Sequence, residues 1–379
     1  MITSDTGLRS VASVRKFAAK GTAEECHVII HCGEHEDDTA LEEKWLAALD
    51  DAEIPAQSTI LRRLFCRNVT QPKQWLADFQ KAYPGAFSVI GQPPLNGTRL
   101  AMWSYHILDP ARPPAGSGGG PGYVLERGPL RHAWNAGLCD VNHANPGAQA
   151  SAIMHRLMRW LDELGLTLRN DVIRTWWFVR DIDRDYQALV DARNTVFEEN
   201  GLTKDTHFIA STGIAGGHPT PSAKMSLDTY AIGGLFPGQI EFIQAPERLG
   251  PTHRYGVTFE RATSVSYADR RHVFISGTAS IDPEGRIVHP GDVVMQLERT
   301  LGNISALLAS ANAAMSDLAH MIVYLRNPED GPLVEELLQR EYHNIPMVLV
   351  HAPVCRPGWL IEIEGMACVA ADNPGFPAF

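Results

Sequence analysis

The sequence predicts an α+β fold in which three tandem β-α-β-α-β-β units close into a pseudo-trimer. Three observations carry this expectation. The 379-residue chain is long for one small domain. Its apolar residues switch between strand and helix periodicity in the same order three times over. A Pro/Gly-rich run, PARPPAGSGGGPG, separates the first round from the second. In such a unit the helices cover one face of a mixed sheet, and the opposite face, partly apolar, is buried against neighbouring copies. The expected units are residues 20–108, 123–236 and 250–371, with 109–122 as a linker.

Residues 1–20 read as a loosely structured lead-in. In the first unit, Glu25–Cys32 is a strand, Thr39–Ala52 an amphipathic helix and Ile60–Phe65 a strand. Gln74–Ala82 follows as a helix burying Trp75 and Phe79, then Phe87–Ile90 and Arg99–Ile107 as strands. The glycines of Pro110–Gly122 invite a phosphate-loop reading, but no Lys-Ser/Thr follows and no helix opens behind them, so the prolines make this a flexible linker. In the second unit Tyr123–Leu138 supplies strands and Gln149–Leu164 a helix with Ile153, Leu157 and Leu161 inward. Ile173–Val179 is a strand, Tyr186–Asn200 a helix, and Phe208–Ile214 and Met225–Ile232 are strands. In the third, Tyr255–Val265 and His272–Gly277 are strands and Gly291–Ser310 a helix. Met321–Leu325 (strand), Leu333–Tyr342 (helix), Met347–His351 and Trp359–Val369 (strands) complete it.

Composition narrows the function classes. A hydrophobic fraction of 44% and a charged fraction of 20% describe an ordinary globular chain, and no apolar run approaches the length of a membrane span. The N-terminal stretch lacks an apolar signal core, so the expected location is the cytoplasm. A net charge of −11 argues against general nucleic-acid binding. An anionic metabolite would depend on a few well-placed arginines. The six cysteines form no CxxC pair and read as free thiols. CHVIIHCGEH (Cys26–His35) suggests a metal, but His27 and His31 on an extended strand stand roughly 13 Å apart, too far to share one ion. No metal and no cofactor is expected. Arg174, Trp176 and Trp177 read as alternating between the two faces of their sheet.

The chemistry concentrates in Pro346–Gly365, PMVLVHAPVCRPGWLIEIEG. Met347–His351 is an apolar strand, Arg356-Pro357-Gly358 a turn, and the strand from Trp359 places Glu362 and Glu364 on one face. On an edge strand these would be solvated acids. On a buried strand an unpaired carboxyl keeps its proton near neutral pH, the state a general acid requires.

The third unit, with FERATSV (Phe259–Val265), FISGTASIDPEG (Phe274–Gly285), VYLRNPEDGP (Val323–Pro332) and VCRPGWLIEIEG (Val354–Gly365), resembles the Rid (YjgF-like) superfamily. More narrowly, it is similar to the chorismatases and the tandem Rid proteins related to them. IRTWWFVRDID and ASTGIAG extend a weaker likeness over Ile173–Gly216. The resemblance implies YjgF/chorismate-mutase-like units, a trimer or an internal mimic of one, and active sites in the clefts between units. Small Rid enzymes hydrolyse enamines and imines with an arginine fifteen residues before the first glutamate of their EIE strand. Met347 stands there in this chain, and neither earlier unit supplies that arginine, so imine deamination is disfavoured.

The chorismatase pattern fits better. By resemblance Glu362 is the proton donor to an enolpyruvyl group, while Cys355 matches the cysteine of the CR turn and Arg261 the F-x-R-A-T arginine. The SGTAS backbone brings Gly277, Thr278 and Ala279 to the substrate. Arg356 either caps its turn or joins the site, and Thr212 and Gly213 of the second unit line a neighbouring cleft. The expected function is therefore a chorismatase-like hydrolase or lyase of a small carboxylated enol ether, binding a small anionic metabolite as a monomer or as a homo-oligomer of it. The alternatives are an enamine/imine deaminase and a non-catalytic ligand-binding Rid protein.

Overall fold

A computed structural model describes residues 12–19, 22–33, 36, 38–69, 74–109 and 122–379. The expected linker lies outside the described residues apart from its two ends, and so does His35 of the histidine-rich run. The first unit runs β1 (Ala12–Ala18), β2 (Glu24–His31), α1 (Asp38–Asp51), β3 (Thr59–Cys66), α2 (Gln74–Ala82), β4 (Ala86–Ile90) and β5 (Leu100–Leu108). The second runs β6 (Gly122–Arg127), β7 (Leu130–Cys139), α3 (Pro146–Glu163), a single turn α4 (Leu168–Asp171), β8 (Val172–Val179), α5 (Ile182–Glu199), β9 (Ala210–Ala215) and β10 (Met225–Gly233). The third runs β11 (Ile240–Ile243), β12 (Ala262–Ser266), β13 (Arg270–Ala279), α6 (Val293–Ser310), β14 (Leu318–Leu325), α7 (Gly331–Tyr342), β15 (Met347–His351) and β16 (Ile361–Ala370).

The sheets repeat one topology. Their strand orders are β1-β2-β5-β3-β4, β6-β7-β10-β8-β9 and β11-β12-β13-β16-β14-β15. In each, the β-α-β connection joins a parallel pair at one edge (β3/β4, β8/β9, β14/β15), and all other neighbours are antiparallel. The helices form because their apolar residues recur at helical spacing. α3 buries Ile153, Leu157 and Leu161, and Asn145 caps it by accepting from the Ala148 N–H at 3.1 Å.

Two expectations are corrected. The lead-in contains a strand, β1, which pairs with β2 from Ala12↔Ile30 to Ala18↔Glu24. Tyr255–Val265 is not one strand. Gly256 takes a left-handed φ of 84° after a short 3-10 turn at Thr252–Tyr255, and pairing begins only at Ala262. The sixth strand of that sheet, β11, was not expected.

The three sheets close into a ring through short backbone bridges. Gly91 and Gly217 join units one and two, Ile214 and Val354 join two and three, and Pro94 and Val350 join three and one. At the first seam Gly91 N–H donates to Gly217 O at 2.7 Å, and a Cβ on Gly91 would stand 3.3 Å from the Gly217 backbone. The inner sheet faces meet in an aromatic core, with Trp134 and Tyr230 stacked at 4.8 Å and Trp103 and His320 at 4.3 Å. This is the pseudo-threefold arrangement that the repeated unit predicts. Among the described residues no helix is long and apolar enough to cross a membrane.

Candidate active site

β16 is an interior strand, hydrogen-bonded to β13 on one side and β14 on the other. That position, not an edge, decides the state of its acids. Glu362 and Glu364 are 5% and 2% exposed. They have opposite environments. Glu364 accepts from Arg174 at 2.7 Å, Tyr324 at 2.9 Å and Arg63 at 3.5 Å, with Thr212 also donating to it. Glu362 has no hydrogen bond or ion pair among the described residues. Burial, reinforced by the neighbouring Glu364 charge, pushes its carboxyl from the usual 4.5 up to about 8, with Arg174 opposing.

Glu362 faces a cleft lined by residues of the second and third units. Of the residues singled out from sequence, the cleft gathers Glu362, Arg261, Cys355, Arg356, Gly277, Ala279 and Gly213. Gly277 is needed there because a Cβ would lie 2.2 Å from Glu362 Oε1, so the carboxyl rests on bare backbone. Thr212 and Thr278, expected beside the substrate, do not line the cleft. Strand alternation puts Ser211 and Gly213 of β9, and Gly277 and Ala279 of β13, on the cleft side, with the threonines between them turned away. Thr278 donates to Ser276 O at 2.8 Å, and the Thr212 hydroxyl accepts from Gly277 N–H at 2.9 Å.

Three guanidiniums share this space. Arg261 is buried rather than paired on the surface with Glu260 or Asp269. It donates to Gly250 O at 2.9 Å and lies 5.4 Å from the ring centres of Tyr255 and Phe259. Arg356 is held between Tyr255 and Trp359, 4.9 Å from each ring, and donates to Gly285 O at 3.0 Å. Arg193 is 2% exposed, and its Nε and Nη2 have no hydrogen-bond partner among the described residues. A buried guanidinium with idle donors is costly unless a ligand anion completes it. Cys355 is hydrogen-bonded with the Tyr186 hydroxyl, and burial, with the Glu362 charge next, pushes its thiol up to about 12. It is a neutral thiol at neutral pH, not a nucleophile.

Tyr186 and Arg193, together with Tyr255 and Trp359, are among the cleft residues that the sequence pattern does not point to. A signal for Arg193 was present. It falls on the apolar stripe of α5 with Leu189, Val196 and Phe197, where a solvated arginine has no place. Tyr255 was hidden by the continuous strand expected around it.

Residues 260–369 match the Endoribonuclease L-PSP family (Ribonuc_L-PSP). A 3-hydroxybenzoate synthase of Streptomyces hygroscopicus is 30% identical over 233 residues, covering 54% of this chain and 65% of that protein. A chorismatase of Streptomyces rapamycinicus is 28% identical over 226 residues, covering 54% and 66% respectively. The matched region thus spans just under two thirds of each relative's length. A chorismatase crystal structure superposes with a TM-score of 0.64 at 20% identity, over 82% of this chain and 93% of that one, a likeness of fold. Residues 260–369 thus carry a Ribonuc_L-PSP (Rid/YjgF-like) domain, and the chain is similar to proteins named 3-hydroxybenzoate synthase and chorismatase.

Proposed function

We propose that the chain is a chorismatase-like hydrolase or lyase acting on chorismate or a closely related carboxylated enol ether, with Glu362 as the proton donor. One observation carries this reading: an unpaired, buried carboxyl shares a cleft with three guanidiniums, one of which has its Nε and Nη2 without a hydrogen-bond partner among the described residues. A dicarboxylate fits such a cleft by charge. Arg193 supplies idle donors for one carboxylate, and Arg261 and Arg356 supply positive charge at the Tyr255 side for the other. Gly277 lets the Glu362 carboxyl lie against β13, and Ala279 presents only a methyl to a ring beside it.

The chemistry follows from the protonation state. Glu362 delivers its proton to the methylene carbon of the enol ether, leaving an oxocarbenium ion on the adjacent carbon. Water adds to that carbon, the hemiketal collapses to pyruvate and a ring alcohol, and the proton released by water returns to Glu362. Cationic groups around the substrate carboxylates hold the reacting carbon over the acid, and the neutral Cys355 and Tyr186 fill the wall without competing for the proton. The loss of the deaminase arginine at Met347 sets this apart from imine hydrolysis. Incubation of the pure protein with chorismate, with pyruvate read by lactate dehydrogenase, tests the proposal. Release by wild type and its loss in Glu362→Gln support it. No release by wild type refutes it.

A further inference from the structure

None of the described residues of the first unit lines the cleft, yet that unit reaches the strand that carries the acid. Arg63, on β3, is fully buried and donates to Asp228 through Nη2 at 2.9 Å and Nε at 3.1 Å. It also reaches Glu364 at 3.5 Å. Asp228, on β10 of the second unit, is further held by Ser88 Oγ and Gly137 N–H, both at 2.8 Å. Glu364 belongs to the third unit and is held in turn by Arg174 of the second. A single sealed cluster therefore joins all three units, and its charges are two arginines against two acids.

That count has a consequence for Glu362. With Glu362 protonated, the cluster and its neighbour are neutral. With Glu362 ionised, cluster and neighbour carry one net negative charge in the interior, which a low-dielectric medium resists and which only the cleft guanidiniums offset. We propose that the Arg63–Asp228–Glu364–Arg174 cluster acts as a charge-balancing support for Glu362, and that Arg63 is the first unit's contribution to the active site. These are positioning residues. The idea rests on the reading of Glu362 as a proton donor and adds what keeps the donor loaded.

The groups that face Glu362 set the signs. On its own strand stands Glu364, two residues away, which favours the protonated form. Arg174, from β8, opposes it. Arg193 on α5 and Arg261 and Arg356 at the cleft also favour ionisation, while Cys355, Tyr186 and Tyr255 are neutral. Removing the Glu364 charge leaves the cluster positive, and removing Arg63 leaves it negative. The two changes must therefore move Glu362 in opposite directions. A Glu362–Glu364 separation of about 7 Å on one strand face corresponds to a shift of about one to two pH units.

The test follows the Glu362 carboxyl by carbon-13 NMR of glutamate-labelled protein, assigned by its disappearance in Glu362→Gln, beside the pH profile of pyruvate release. In Glu364→Gln the titration and the basic limb of the profile should fall by about one to two pH units. In Arg63→Met they should rise, and Arg63→Lys, which keeps the charge, should restore the wild-type position. If Arg63→Met fails to fold, Asp228→Asn, which removes a negative charge from the same cluster, should lower the Glu362 titration, and no shift there overturns the proposal. Shifts of the same sign, or none in Glu364→Gln, overturn the proposal. If wild type releases no pyruvate the proposed reaction falls, while the NMR titration still decides on the charge balance.

Discussion

Replacing Glu362 by Gln removes an ionisable group from the interior and keeps its shape, so its effect on stability should depend on pH in a calculable way. The Glu362 carboxyl is raised from 4.5 to about 8 by burial and the Glu364 charge. That difference is about 3.5 pH units at about 1.4 kcal/mol each, or about 5 kcal/mol when fully developed. Below pH 4.5 both folded and unfolded wild type hold the proton, and the group costs nothing. As pH rises from 4.5 toward 8 the unfolded chain ionises first, so wild type loses stability across that window. Above it both states are ionised and the loss is constant. Glu362→Gln has no such term. Urea unfolding of both proteins at matched pH should show the variant gaining on wild type by about 3–5 kcal/mol between pH 4.5 and 8. Other titrating groups cancel in the difference. A difference that stays flat across the window would refute a buried, proton-holding Glu362.

Three further outcomes follow from the same cleft. Arg193→Met removes a buried cation with idle donors, so the variant should melt higher than wild type in thermal unfolding while its affinity for chorismate, by calorimetry, drops about 10–100-fold. Gly277→Ala places a Cβ 2.2 Å from Glu362 Oε1; pyruvate release should fall at least about 100-fold while urea unfolding shows a cost of about 1–3 kcal/mol. Cys355, its thiol raised to about 12, should resist iodoacetamide at neutral pH, as followed by mass spectrometry, and Cys355→Ala should retain most of its turnover.

The repeat and most element positions were legible in the sequence because local periodicity carries them. Gln74–Ala82 forms the helix its apolar spacing predicts, and Met347–His351 the strand. The carboxylates at Glu362 and Glu364 do share a sheet face. What periodicity could not supply is partnership. Two acids two residues apart look alike in sequence, and only the third dimension assigns Arg63, from 301 residues away, to one of them and leaves the other bare. The same holds for Thr212. Its neighbour Gly213 faces the cleft, but the threonine belongs to the buried network behind it. β1 escapes periodicity because its half-buried, mixed sequence ASVRKFA shows no clear alternation, and pairing with β2 defines it. Arg193 is concealed among the apolar residues of α5, whose spacing defines the helix without showing what a charged residue on that stripe meets.

The protonation state of Glu362 at neutral pH is open to direct measurement. An infrared difference spectrum between wild type and Glu362→Gln isolates that one side chain. The carbonyl stretch of a protonated carboxyl should be present in wild type at pH 7 and absent from the variant, and it should fade as pH rises through about 8. A wild-type spectrum showing only the carboxylate stretches at pH 7 would mean that the cleft holds an ionised acid, and the proton donor assigned to it would not exist.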